Sequence, residues 1–134
     1  VIDLSLPLQA AIVKALKEDP ELIGLIAGRV YDRVPPSPVA PYITVGDAQI
    51  VDDSNACHSL AEYSVQIGCW SEAVGYPEVK RIGAAAVRVL NAKLPLTGGA
   101  IVIHRIARLS YGRERDNLTS RAIIGPRYDI QAEA

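Results

Sequence analysis

The sequence predicts an α+β fold: a mainly antiparallel sheet of about four strands with two helices packed on one face. Three observations predict it. Two stretches repeat apolar residues at three- and four-residue spacing, and one long stretch alternates apolar and polar residues strictly. The elements run helix, strands, helix, two strands, and no repeat or low-complexity tract divides the chain, so residues 1–134 read as a single domain.

The first helix carries its stripe on Leu8, Ala11, Ile12, Ala15 and Leu16. Ser5 is its expected cap, Pro7 fits the first turn, and Asp19-Pro20 stops it. A short turn from Glu21 to Ile26 follows, closed by Gly28, and Arg29–Asp32 is a candidate short strand. Pro35, Pro36, Pro38 and Pro41 then make a stiff extended connection, because proline supplies no N–H to a helix or ladder. It delivers the chain to a strand over 42–48, and residues 51–57 read as a polar loop.

Leu60 to Trp70 is the clearest strand. Tyr63, Val65, Ile67 and Cys69 share one face, while Glu62, Ser64, Gln66 and Gly68 share the other, with Trp70 at the end of the wetter face. The second helix places Val79, Ile82, Ala86, Val89 and Leu90 on its stripe and ends near Lys93, before Pro95. Its centre, Gly83 to Ala86, is thin enough for close approach of a neighbour. Residues 101–109 form a strand with no purely polar face, 111–119 a charged hairpin loop, and 121–130 the returning strand. Gly125-Pro126 interrupts that last strand, which points to an edge or a bulge.

At 134 residues and 49% apolar composition the chain is long enough to bury a core, and neither a disordered chain nor a bulk polycation fits. No apolar run approaches the ~20 residues that cross a bilayer, and the first residues do not follow the pattern of a signal peptide. Synthesis in the cytoplasm is the default reading. The net charge of -1 conceals an asymmetry: residues 101–134 hold six arginines against four acids, whereas residues 1–100 hold eight basic and eleven acidic side chains. Arginine suits ion pairs between subunits and contacts with phosphate. On this ground Arg105, Arg108, Arg113 and Arg115, with Asp52, Asp53 and Trp70, are the candidates for a subunit interface or a lumen surface.

Chemistry-bearing patterns are scarce. His58 and His104 have no HExxH spacing, Cys57 and Cys69 no CxxC spacing, and Gly98-Gly99 lacks the lysine of a phosphate loop. The Cys57–His58 pair has no orienting third group, and Asp52-Asp53 no second acidic element. The residues therefore designate no catalytic, cofactor-binding or metal-ligating set, and the chain reads as a structural protein rather than an enzyme. Mixed strand faces and edge cues favour packing against copies of itself in a closed ring.

The stretches Leu8–Leu16, Leu22–Asp32 and Val34-Pro35 through Ala40–Gly46 resemble a family of small tail-completion proteins. So do Tyr63–Ser71, Glu78–Gly83 and Leu94-Pro95-Leu96. The family is that of tail terminators of long-tailed bacteriophages and of the phage-like gene transfer agents of alphaproteobacteria. The resemblance spans about residues 8–130 and rests on the ordered set rather than on one motif. It implies a homo-hexameric ring that caps the tail-tube protein, stops its polymerisation and joins it to the head–tail connector or another neck protein. Double-stranded DNA would pass the lumen with transient, non-specific contact, and no cofactor or membrane is involved. The alternative it leaves open is another neck protein, such as a head-completion or connector ring component. Gly28–Pro35 and Trp70-Ser71 would be structural signatures. The resemblance transfers no role to Arg113, Arg115 or Asp52.

Overall fold

The alternation over residues 60–70 becomes the middle of a five-stranded sheet in a computed structural model that describes residues 3–133. Helices α1 (Ser5–Glu18) and α2 (Pro20–Ile26) come first, then strands β1 (Val30–Tyr31), β2 (Tyr42–Asp52) and β3 (Leu60–Ser71). Helix α3 (Pro77–Leu90), β4 (Gly99–Arg113) and β5 (Ser120–Ala132) complete the chain. The strand order is β1-β2-β3-β5-β4, antiparallel throughout except for the short parallel pairing of β1 with β2.

The core forms where the helical stripes meet one face of the sheet. Leu8, Ile12 and Leu16 of α1, Leu22 and Ile26 of α2, and Val79, Ile82 and Leu90 of α3 are buried. They share one cluster with Tyr63, Val65, Ile67 and Cys69 of β3 and Ile124, Tyr128 and Ile130 of β5. Burial pushes the Cys69 thiol up to about 12, as expected of a small residue held in an apolar interior. Gly83 permits the close approach foreseen for α3: a Cβ there would stand 2.8 Å from the Tyr111 hydroxyl of β4.

Several element bounds differ from the sequence expectation, each for a local reason. The turn after α1 is a full α-helix, because the Asp19 carboxylate accepts from the Leu22 N–H at 3.1 Å and Pro20 opens the helix. Ser5 is the first residue of α1 rather than its cap, and its own N–H donates to Asp3 at 2.9 Å. The second long helix stops at Leu90, with Asn91 as its C-cap. Strand β2 runs on to Asp52, since a bulge between Val45 and Ala48 restores its register with β3. Strand β4 extends to Arg113, so Tyr111, Gly112 and Arg113 pair with β5 instead of forming loop.

The last strand is not broken at Gly125-Pro126, nor is it an edge. It lies between β3 and β4, and the irregularity is taken up by a bulge between Ile106 and Arg108 in the partner strand, next to Pro126. The long edge is β4. On the other side, β1 pairs only with Ile43 and Thr44, which leaves the outer side of β2 from Gly46 to Asp52 without a strand partner among the described residues.

Candidate interaction surface

Because all helices cover one face of the sheet, the opposite face and the two edges carry the candidate residues. Alternation puts Glu62, Ser64, Gln66, Gly68 and Trp70 of β3 on this open face. Register adds Arg121, Arg127 and Asp129 of β5 and, through Arg105↔Arg127 and Arg108↔Gly125, Arg105 and Arg108 of β4.

The candidates do not converge on one site. Asp52 and Asp53 sit where β2 runs into the 53–59 hairpin, at the end of the sheet that holds Leu60 and Gln131. There the Ser54 hydroxyl donates to Asp52 at 2.7 Å, and this hydrogen bond holds the Asp52 carboxyl below its usual value. Arg113 and Arg115 lie at the opposite end, in and beside the hairpin that joins β4 to β5. The Arg113 guanidinium stacks 4.6 Å from the centre of the Tyr76 ring, while Arg115 is exposed in the turn. Trp70 is at that same end but half-buried: its indole N–H donates to Thr44 Oγ1 at 3.0 Å. It lies so close over Gly68 that a Cβ there would stand 2.8 Å from Nε1. Trp70 thus packs against the surface of its own sheet.

Arg105 and Arg108 are exposed at the centre of the long edge strand. Arg105 is directly opposite Arg127, and like charges in that position repel. Arg127 has one acidic neighbour, Glu62, at 3.5 Å, and its Nε has no hydrogen-bond partner among the described residues. Arg121 is better held, with its guanidinium donating to the Arg113 carbonyl and to Glu114 at 3.3 Å. The open side of β4 and β5 is therefore a cationic surface incompletely neutralised from within the subunit.

Residues the sequence reading passed over also occupy this rim. Asp47 is exposed at the β2 bulge, and Val102, Ile103 and Leu109 of β4 are exposed apolar side chains on the edge strand. The absence of a polar face on 101–109 was the visible signal for the latter. Nothing in the local sequence marks Asp47, whose position depends on the bulge. The His104 ring nitrogen stands 3.0 Å from Asn91 Oδ1, beyond the end of α3.

Comparison with known proteins places this geometry. The family described as tail completion protein gp17 matches residues 10–127, so the chain belongs to that family. A chain in the virion of a native gene transfer agent particle has the same fold, with a TM-score of 0.90 and 28% identity; the match covers 98% of this chain and all of that one. The gp17 protein of bacteriophage SPP1 shares the fold at a TM-score of 0.62 and 19% identity, over 92% of this chain and 88% of that one. No curated protein matches the sequence significantly.

Proposed function

We propose that this member of the tail completion family is a tail terminator. Six copies form a ring on the last ring of tail-tube protein, stop its polymerisation and join it to the head–tail connector. DNA passes through the lumen. The reading makes the chain a structural component of the tail–neck region of a phage or phage-like particle, not an enzyme.

The observation that carries it is the family match over residues 10–127, together with near-complete superposition on a chain of a gene transfer agent virion. The surface is consistent with it. A net charge of -1 suits a wall that DNA slides past, because each phosphate contact adds salt-dependent affinity and a strongly basic lumen would retain DNA. Free sheet edges suit a protein whose neighbours are copies of itself.

Deletion of the gene in the producing cell tests the proposal. Electron microscopy is expected to show tubes of uncontrolled length and filled heads without tails, both rescued by the wild-type chain. Tubes of normal length joined to heads in its absence would refute it.

A further inference from the structure

The two free edges of the sheet carry opposite charge. Strand β4 contains Arg105, Arg108 and Arg113 and no acid, while β2 contains Asp47 and Asp52 and no base. The adjoining strands continue the trend, with Arg121 and Arg127 against Asp129 on β5 and Glu62 alone on β3. Among the described residues both edges lack a strand partner, β4 along its outer side and β2 on its outer side from Gly46 to Asp52, which leaves backbone donors and acceptors open. Each also exposes apolar side chains, Val102, Ile103 and Leu109 on β4 and Val51 on β2.

We propose that β4 of one copy pairs with the Gly46–Asp52 segment of β2 in the next, so that the subunit sheets join into one continuous antiparallel sheet. The occupant of each edge is a second copy of this chain. Three features select this arrangement over others. First, in the order β2-β3-β5-β4 each neighbouring pair is antiparallel, so β2 and β4 run in opposite directions. A neighbour related by rotation about an axis along the strands therefore presents its β2 antiparallel to β4. Second, a two-fold contact would set β4 against β4, arginines against arginines, or β2 against β2, aspartates against aspartates. Charge penalises both, so the contact is head-to-tail, the kind that closes into a ring.

Third, the charges align in height. Arg108 pairs with Gly125, and the same band of the open face runs past Gln66 to Asp47, at the far edge. With little stagger between copies, Arg108 meets Asp47 of the neighbouring copy. Arg105, already facing Arg127 in its own subunit, is level with Gln49 and so comes to lie between Asp47 and Asp52 of the neighbouring β2. Unbalanced charge inside one subunit becomes complementary charge between two.

The inference rests on the ring reading and deepens it by naming the edges. Its test uses the full chain and two charge reversals, R105E/R108E and D47R/D52R, each checked by circular dichroism for an unchanged fold. Native mass spectrometry and light scattering then read assembly. Each variant alone has two edges of like sign and is expected to remain monomeric at concentrations at least tenfold above those at which the wild type assembles. Mixed one to one, every contact again joins an acidic to a basic edge, and rings of alternating copies are expected. Folded variants that assemble like the wild type, or a mixture that stays monomeric, would overturn the edge pairing and leave the ring standing. A wild type that forms no ring, alone or in particles, would remove the ring reading itself.

Discussion

Replacing Tyr128 by Phe removes one oxygen from the centre of the core, with two separable consequences. The Tyr128 hydroxyl donates to the Leu90 carbonyl at 2.6 Å, binding β5 to the last turn of α3, and the ring is fully buried. The variant leaves that carbonyl without its donor at a buried helix end, which costs about 1.5 kcal/mol. For a domain of this size the melting temperature falls by about 4–6 °C at neutral pH. The second consequence is alkaline. Burial, and to a lesser degree the neighbouring Tyr63, raises the Tyr128 phenol above its ordinary value of 10.0. Its neutral form is thus favoured by the fold: the stabilisation is complete below pH 10 and is lost as pH rises, because the unfolded chain ionises first. At pH 11 that loss is about 1.4 kcal/mol for one tyrosine, and Phe cannot suffer it. The wild-type and Y128F stability curves, measured by urea denaturation at fixed protein concentration, should differ at pH 7 and converge near pH 11. Curves that stay parallel up to pH 11, or a variant as stable as the wild type at pH 7, would refute the account of this hydrogen bond.

Two further perturbations probe other parts of the fold. Asp19 caps α2 and meets Arg88 of α3 at 2.8 Å, so D19A should cost about 1 kcal/mol, mostly from the cap. Hydrogen bonding to Arg88 depresses the Asp19 carboxyl, so its stabilisation holds above the unfolded value near 3.8 and is lost as pH falls through the folded value. Chemical denaturation at pH 7 and pH 2.5 should accordingly show the D19A deficit shrinking in acid. In a thiol assay near pH 8 the native protein should react at one cysteine: Cys57 is exposed, whereas Cys69 is buried and its thiol is held at about 12. Denaturation should release the second, and two fast native thiols would contradict the packing of β3.

The elements readable in the sequence were those whose burial follows a local period. Tyr63, Val65, Ile67 and Cys69 identify β3 by alternation alone, and Ile82 and Leu90 identify α3 by helical spacing. What stayed hidden depends on partners far along the chain. Alternation in β2 fails after Val45 because a bulge resets it, so Ile50 rejoins the core side opposite Tyr63. Gly125-Pro126 pointed to an edge or a bulge; β5 is central, and the irregularity is a bulge in β4 opposite the proline. Among candidate site residues, the sequence singled out the arginines and aspartates by type. It could not show that Arg105 and Arg108 lie on one outer strand and Asp52 on the other, since that follows from strand order. The same strand order sets Asp47, which has no distinguishing context in the sequence, level with Arg108.

That strand order also separates what holds the subunit together from what it offers to others. The cohesive groups lie between the helices and one face: the apolar cluster, the Tyr128 hydroxyl and the Arg88–Asp19 pair joining α3 to α2. The ionic groups of the open face and edges contribute little to cohesion, because exposed ion pairs are weak and Arg105 opposite Arg127 is unfavourable within the subunit. Their segregation by sign, basic toward β4 and acidic toward β2, is the feature on which the proposed head-to-tail contact draws. The hairpins carry a different signal: 53–59 extends from Asp52 at one end of the sheet, and 114–119 presents Arg115 at the other. In the proposed ring, with the strands along its axis, the edges would meet sister subunits while the hairpins would point toward the rings above and below. One small sheet then has separate surfaces for closing a ring and for stacking it, and neither requires a pocket.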